Sequence, residues 1–200
     1  MSWEDRLECA DLVVRWGLYR DQGRWDELFG TFHPEALIHI SWFSGPASGF
    51  VEESRKTFDP TGARMRLKHL IWPPIVDVEG DRAIAEASAA IVVRARFDGF
   101  QVDNTSYARF HDRMERRGGV WRIVERTGIY EFDRYDPVDS PDGFADYMRS
   151  NDFSGVPAAY RYIGYRVMQM GRTLAPDVHV DGSGRTEALY AAGRAWLAGG

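Results

Sequence analysis

Residues 21–26 read DQGRWD, and this short stretch closes the first predicted helix of the chain. An apolar stripe runs towards it through Leu7 and Val14, and positions seven residues apart drift by only about 20° around a helix. The stripe therefore predicts that Asp21 points into the interior of the protein together with Leu7 and Val14. Because a buried carboxylate without a partner is costly, we expect Asp21 to meet another polar group there.

A second ionisable group lies on an apolar stripe in residues 65–71, which read MRLKHLI. The two-residue period of a strand places His69 on one face with Met65, Leu67 and Ile71, and the basic residues on the other. We therefore expect His69 and Asp21 to meet or to line one pocket. The usual pKa of histidine is about 6.5; burial would lower it and a neighbouring carboxylate would raise it. The alternatives are a core histidine whose hydrogen bonds are satisfied, and an exposed Asp21 at a helix C-terminus, where the helix dipole disfavours negative charge.

The order of predicted elements indicates an α+β fold in which an antiparallel sheet curls around N-terminal helices. Ser2 is predicted to cap the first helix, and Gly23 to end it in a left-handed conformation. Helices are predicted at residues 3–22, 25–32 and 50–58, a loop at 44–49, and strands at 37–42, 66–72, 75–79, 82–97, 101–113 and 121–132.

The C-terminal third differs from the rest of the chain. Prolines interrupt the segment after residue 136, and helical patterns follow at 158–171 and 186–197. We therefore predict a main domain over residues 1–135 and a helical extension over 136–200. The extension carries more large apolar side chains than one narrow stripe needs, so we expect it to cover a cavity mouth or to pack on a neighbouring subunit.

The composition excludes several classes of function. The chain has 200 residues and a net charge of −5, and its basic residues form no long run, which disfavours nucleic acid as a partner. The single cysteine, Cys9, excludes an internal disulfide and favours the reducing cytoplasm. No segment approaches the ~18 apolar residues of a membrane span. The spacings typical of zinc sites, dinucleotide sites, phosphate loops and serine hydrolases are also missing, so neither a metal nor a cofactor is predicted.

Three features together resemble the SnoaL-like branch of the NTF2-like superfamily over residues 3–135. They are the Asp21-x3-Trp25-Asp26-x-Leu28 pattern, the strand histidine His69, and the sequence GGVWRIV at 118–124. This branch includes scytalone dehydratase, bile-acid 7α-dehydratase, hexachlorocyclohexane dehydrochlorinases and diarylpropane γ-formaldehyde lyases. The resemblance implies the NTF2-like cone, a homo-oligomer (dimer or trimer), and a catalytic pair of Asp21 and His69.

The resemblance also raises the question of the general acid. Tyr107 falls where scytalone dehydratase has a second catalytic histidine, so it is the candidate donor to a leaving hydroxyl. Trp16 stands where the bile-acid enzyme has a tyrosine, and Tyr19, one turn further on, could replace that phenol. The alternation of the strand places Tyr107 with Thr105 and Arg109, so a polar, solvated face is the competing interpretation.

Further candidates are residues that would bind the ligand. Aromatic side chains such as Trp42 and Trp72 are core residues by default, but those that line a cavity would favour a flat, apolar, aromatic ligand. His39 is a weaker candidate because it alternates with Ile38 and Ile40. Glu125 shares a face with Trp121, and it is a buried acid unless a bulge turns it outward.

These observations lead to a function hypothesis. We expect a cofactor-independent lyase that eliminates water, with or without release of formaldehyde, from a small aromatic or polycyclic alcohol. His69 would act as base or acid while Asp21 holds it. A non-catalytic small-molecule-binding protein on the same fold is one alternative, and an isomerase or cyclase using the same pair is another.

Overall fold

A curved sheet of eight strands forms the body of the protein in the computed structural model, which describes residues 3–199. The main path of the sheet runs β2-β1-β7-β6-β5-β3, while β4 pairs with β5 and β8 pairs with β7. The strands are β1 (Phe32–Ile40), β2 (Phe43–Pro46), β3 (Met65–Ile71), β4 (Ile75–Glu79), β5 (Arg82–Phe97), β6 (Phe100–Arg117), β7 (Val120–Pro137) and β8 (His179–Val180). Most pairs are antiparallel, but β1 and β8 both run parallel to β7.

Helices from the N-terminal and the C-terminal parts of the chain pack against this sheet. They are α1 (Trp3–Gln22), α2 (Trp25–Gly30), α3 (Ala47–Thr57), α4 (Phe144–Ser150), α5 (Arg161–Gln169) and α6 (Gly184–Leu197), with a 3-10 turn at Ala158–Tyr160. The predicted α+β fold, an NTF2-like cone with a sheet around N-terminal helices, is confirmed. Within residues 3–199, no helix combines the length and the apolar character needed to cross a bilayer. The predicted cap Ser2 lies outside the described residues.

Several predicted boundaries were wrong. The second helix ends at Gly30, where the Thr31 hydroxyl donates a hydrogen bond of 2.7 Å to the Leu28 carbonyl. Phe32 already belongs to β1, so Pro34 lies within a strand rather than at a helix end. The strand tolerates this proline because the β1–β7 pairing is irregular between Phe32 and Leu37. Part of the predicted loop at 44–49 is β2, and α4 was not predicted.

The buried face of α1 is not the predicted stripe. Leu7 and Val14 are 52% and 42% exposed, whereas the residues that face the sheet are Cys9, Val13, Trp16, Gly17 and Arg20. Asp21 is nevertheless almost enclosed, because β3 crosses the last turn of α1. The crossing is close: a Cβ atom on Gly17 would lie 2.7 Å from Cδ1 of Ile71. Glycine at position 17 therefore allows the helix and the strand to approach each other.

Two irregularities in the β6–β7 pairing set which side chains of β7 face the interior. The register shifts between Arg113 and Met114 and again between Tyr107 and Ala108. After the first shift, Arg126 and Tyr130 point inward and are buried. Glu125 points outward instead and pairs with Arg113 at 2.9 Å. The bulge that could turn Glu125 outward is therefore present.

The C-terminal segment packs on the same sheet. Asp133 of β7 accepts hydrogen bonds from the backbone N–H groups of Tyr162 and Ile163, at 2.6 and 2.8 Å, and so fixes the start of α5. Burial raises the pKa of Asp133 to about 6. In α6, a Cβ atom on Gly193 would lie 3.1 Å from the His111 ring, so this helix lies directly on β6.

Candidate active site

Asp21 and His69 meet at the crossing of α1 and β3. Oδ1 of Asp21 lies 2.6 Å from Nδ1 of His69, and Oδ2 accepts a hydrogen bond of 2.8 Å from the backbone N–H of the same histidine. One carboxylate therefore holds both the ring and the main chain of His69. The side chains are 5% and 9% exposed, so the contact is shielded from solvent.

The burial of His69 determines its protonation. Its pKa is lowered from 6.5, because burial outweighs the hydrogen bond and the negative charge of Asp21. The imidazole is therefore neutral near pH 7. A carboxylate at Nδ1 favours the tautomer in which this nitrogen carries the proton, which leaves Nε2 with a free electron pair. Such an imidazole is suited to accept a proton from a ligand.

A cavity lies beside this pair, between the concave face of the sheet, α1, α3 and α5. Its apolar lining includes Trp16, Trp42, Phe50, Phe110 and Ile91, and His69 forms part of the wall. The Trp16 ring meets the His69 ring edge to face, with 5.3 Å between the centroids. A flat ligand that fills the cavity would therefore contact aromatic rings next to His69.

A buried ion pair supports the aromatic wall. Arg126 and Asp112 are fully buried and form two hydrogen bonds of 2.7 and 2.6 Å. The guanidinium carbon of Arg126 lies 4.2 Å from the Trp16 ring centroid and 4.6 Å from that of Phe110. The pair fixes the orientation of both rings through cation–π contacts. Sequence analysis missed it, because the bulge that turns Arg126 inward has no clear sequence signal.

The phenol of Tyr130 also lines the cavity. Its hydroxyl donates to Oγ of Ser41 and accepts from the backbone N–H of Ser41, both at 3.0 Å. Burial raises the pKa of Tyr130, so the phenol remains protonated. Tyr130 is a neutral hydrogen-bond donor in the cavity wall, and it was not among the predicted site residues.

Three arginines complete the lining, and sequence analysis singled out none of them. Arg20 comes from α1, Arg166 from α5 and Arg172 from the segment after α5. Two of the three therefore belong to the C-terminal segment, which forms one wall of the cavity. Only the packed structure reveals them, because long-range contacts bring them to the site.

Comparison with known proteins identifies the family. Residues 1–127 match the model of the SnoaL-like domain. The chain belongs to this family. The resemblance inferred from the sequence motifs is thus confirmed.

Two curated relatives of this SnoaL-like chain come from Fusarium vanettenii. A PEP2-like protein is 29% identical, and the match covers 98% of this chain and 86% of the relative. Pea pathogenicity protein 2 is also 29% identical, over 80% of this chain and 68% of its own length. The similarity to the first therefore extends through the C-terminal segment.

Solved structures share the fold of the SnoaL-like chain. A scytalone dehydratase-like protein from Novosphingobium aromaticivorans superimposes with a TM-score of 0.53 and 14% identity, over 69% of this chain and 95% of that one. A type 2 hexachlorocyclohexane dehydrochlorinase, LinA, gives a TM-score of 0.54 and 17% identity, over 70% and 96% of the two chains. At these identities the likeness shows the fold alone.

Tyr107, the predicted proton donor, does not reach the cavity of the SnoaL-like chain. It lies on the convex face of the sheet, where its ring stacks on Phe132 with 4.6 Å between centroids. Its neighbours Ser106 and Ala108 are the residues of β6 that point inward. The expectation that Tyr107 faces the ligand was therefore wrong, because the alternation of β6 places it with Thr105 and Arg109 on the outer face, which was the competing interpretation of the sequence.

The predicted ligand-binding residues divide into two groups. Trp16 and Trp42 line the cavity, whereas Tyr19, His39 and Trp72 do not. The hydroxyl of Tyr19 is near Arg15 on the exposed side of α1. His39 contacts Ser44 at 2.7 Å on the outer face of β1, and Trp72 is 50% exposed beyond the end of β3. Within residues 3–199, no cluster of three or more His, Cys, Asp or Glu side chains could hold a metal ion.

Proposed function

We propose that this SnoaL-like chain is a lyase that removes water from a small alcohol without a cofactor, with His69 as the base. The observation that carries the proposal is the 2.6 Å contact between Asp21 and Nδ1 of His69 at the wall of a cavity lined by aromatic side chains. Members of this fold include a dehydrochlorinase, whose name states an elimination reaction. Elimination needs a base next to a carbon acid, and a neutral imidazole held by a carboxylate supplies one.

The chemistry of the pair follows from its geometry. Nε2 of His69 accepts a proton from the carbon next to the one that bears the hydroxyl, and the C–H electron pair forms the new double bond. The C–O bond breaks with its electrons on oxygen, and the hydroxyl takes a proton to leave as water. Asp21 stabilises the imidazolium between these steps, because its negative charge lies next to Nδ1.

Two groups could protonate the leaving hydroxyl. The imidazolium of His69 can return the proton it has just taken, if both groups leave from one face of the substrate. Tyr130 is the alternative, because its buried phenol lines the same cavity and stays protonated; its O–H, which donates to Oγ of Ser41, would turn to the leaving hydroxyl. A Tyr130→Phe variant distinguishes the two, because it keeps turnover in the first case and loses it in the second.

The aromatic lining supports a substrate that carries a ring. Trp16 stacks on Phe50 with 5.8 Å between the ring centroids, and Trp42 packs against the same phenylalanine with 5.5 Å between the ring centroids. These side chains give the cavity an apolar aromatic lining, which suits a ligand that carries a ring. We therefore include the aromatic alcohol predicted from the sequence in the proposed function.

The experiment is a screen for loss of water. The purified chain is incubated with aromatic alcohols and diols, and products are scored by a mass loss of one water, or by released formaldehyde. The Asp21→Asn variant must lose the activity. Asp11→Asn is the matched control, because Asp11 lies on the same helix but is half exposed and pairs with Arg15. Binding without conversion would favour a non-catalytic protein, and a product of unchanged mass an isomerase or cyclase.

We also propose that the chain forms a homo-oligomer through its exposed apolar surface. Val14 and Leu18 of α1 lie beside Leu70 and Trp72 of β3 and its end in one groove, and each is between 42% and 50% exposed. Monomers rarely expose contiguous apolar patches of this kind. Asp21 and His69 lie at the bottom of the groove, so a second copy seated there would seal the pair from the outside.

A further inference from the structure

The arginines of the cavity wall have too few anionic partners. Arg20 and Arg166 are only 6% and 8% exposed. Among the described residues 3–199, neither forms an ion pair with a carboxylate. Arg166 donates a hydrogen bond of 3.4 Å to the neutral side-chain oxygen of Asn104 and contacts Sδ of Met170 at 3.6 Å, and the guanidinium carbon of Arg20 lies 5.5 Å from the centroid of the Trp25 ring. A buried guanidinium without a counter-ion is costly, and an anionic ligand in the cavity would reduce that cost.

The carboxylates around the cavity are already occupied. Asp21 binds His69 and lies 3.7 Å from Lys68. Asp112 is saturated by its two hydrogen bonds to Arg126. The charge of Asp21 raises the pKa of the adjacent Arg20, but Asp21 forms no ion pair with it, and no carboxylate within residues 3–199 forms an ion pair with Arg166.

Arg172 adds a third positive charge, and its carboxylate partner, Glu53, also pairs with Lys56. It donates a hydrogen bond of 3.0 Å to the Glu53 carbonyl and lies 3.6 Å from the Glu53 carboxylate. That carboxylate also binds Lys56 at 2.7 Å. The guanidinium of Arg172 stacks over Trp42, at 4.5 Å from the ring centroid. The cavity therefore carries an excess of positive charge beside its aromatic faces.

The pKa values of Arg20 and Arg166 agree with this shortage of anionic partners. The pKa values of Arg20 and Arg166 are lowered to about 10, mainly by burial; the positive charge of Arg172 acts in the same direction on both, and the negative charge of Asp21 opposes it at Arg20. Both groups remain cationic at neutral pH. The positive charge of Arg20 also lowers the pKa of His69, so the cationic wall and the proposed base are neighbours.

We propose that the cavity binds an aromatic carboxylate, with its carboxylate on Arg20, Arg166 and Arg172 and its ring against Trp16 and Trp42. Planar guanidinium groups match the two oxygens of a carboxylate, and the indole rings match a flat apolar group. The inference deepens the proposed function, because this ligand class would be the substrate class. The binding itself does not depend on turnover.

The test is a calorimetric titration of the full chain at pH 7.5 with three ligands of matched shape. Cinnamate carries the carboxylate, whereas cinnamamide and cinnamyl alcohol are neutral. We expect cinnamate to bind at least about tenfold more tightly than either neutral ligand. Equal affinities, or a failure of cinnamate to bind at about 1 mM, would overturn the proposal.

Two variants assign the preference to the cationic wall. Arg20→Met and Arg166→Met keep the length of the side chain and remove the charge, so each should lose most of the preference for cinnamate. Arg94→Met is the matched control, because Arg94 pairs with Asp103 on the exposed face of the sheet. If both cavity variants fold and keep the full preference, the assignment is wrong. If neither folds, the wild-type comparison of the three ligands still decides the ligand class.

Asp21→Asn separates this inference from the proposed function. The variant removes the support of the base but none of the arginines, so it should still bind cinnamate. If the wild type binds aromatic carboxylates but converts no hydroxylated member of that class, the lyase proposal fails and the anion site stands. If the wild type converts neutral alcohols and shows no preference for anions, the lyase proposal stands and the anion site fails.

Discussion

Replacing Asp21 by Asn tests the roles of the carboxylate while nearly preserving the shape of the side chain. The amide oxygen of Asn can still accept the 2.8 Å hydrogen bond from the backbone of His69. Its NH₂ group, however, would face Nδ1 of the ring and donate to it. This reverses the tautomer, so that Nε2 carries the proton and can no longer accept one.

The expected loss of activity follows from that reversal. The wrong tautomer lowers kcat by about 10⁴-fold in a Ser-His-Asp triad, which corresponds to about 5.5 kcal/mol of transition-state free energy. The loss of a charged hydrogen bond should lower the free energy of unfolding by about 1–3 kcal/mol. We therefore expect a folded protein with a melting temperature lower by about 2–12 °C and turnover near the limit of detection.

The assay is the initial rate of substrate loss, followed by mass spectrometry, for Asp21→Asn and its control Asp11→Asn. A double variant with His69→Gln adds a test of coupling. Residues that act as a unit are strongly non-additive, so the double variant should be no slower than the slower single variant. A folded Asp21→Asn protein within about tenfold of the wild-type rate, or additive losses in the double variant, would refute the pairing of these roles.

Four further predictions follow from the geometry. Because burial lowers the pKa of His69 below 6.5, kcat/KM should be constant at pH 7–8 and fall only at a more acidic pH. A fall of kcat/KM on acidification with its midpoint above pH 6.5 would contradict this prediction. Stability should also fall as the pH drops from about 6.5 to that lowered pKa and then level off, because within this range the unfolded chain binds a proton that the folded chain does not. Gly17→Val should push α1 away from β3, lower the free energy of unfolding by about 1–3 kcal/mol and reduce activity. Gly30→Val is the control, because a Cβ atom at position 30 meets open space, and it should change neither stability nor activity. An unchanged melting temperature of Gly17→Val would be evidence against the close crossing. Leu18→Glu should lower the oligomer mass measured by light scattering, unlike Val120→Glu at a distant hairpin, and equal masses would exclude the proposed interface.

The removal of an unpaired cavity arginine gives a prediction about stability. Without ligand, Arg166→Met should raise the free energy of unfolding, because the variant no longer buries an uncompensated charge. A gain of about 1–2 kcal/mol would raise the melting temperature by about 2–8 °C. The measurement is a thermal melt of the ligand-free protein. A clear decrease would mean that the guanidinium already has a stabilising partner.

The sequence predicts those parts of the site that lie on a strand whose two-residue alternation is not interrupted by a bulge. The two-residue alternation of β3 correctly placed His69 with Leu67 on the inner face and Lys68 on the outer one. The prediction for Asp21 succeeded for a different reason than the one given. The Leu7 and Val14 stripe is exposed, and the carboxylate is enclosed because β3 crosses the end of α1.

The rest of the site depends on features that local patterns do not encode. A one-residue bulge reverses the facing of every later residue in a strand, which turned Arg126 inward and Glu125 outward. Tyr107 is a different case, because no bulge separates it from Trp121 and the plain alternation of β6 already places it on the outer face. Arg166 and Arg172 reach the cavity through the fold of the C-terminal segment, and a charged residue on a predicted helix is usually solvated.

The most direct test of the central claim is the protonation state of the His69 ring, measured by ¹⁵N NMR of the imidazole over a pH titration. We predict a single neutral tautomer at pH 7.5 with the proton on Nδ1, a pKa below 6.5, and a switch to the other tautomer in Asp21→Asn. A ring that titrates at or above 6.5, or that carries its proton on Nε2 in the wild type, would contradict the proposed role of His69 as a base held by Asp21.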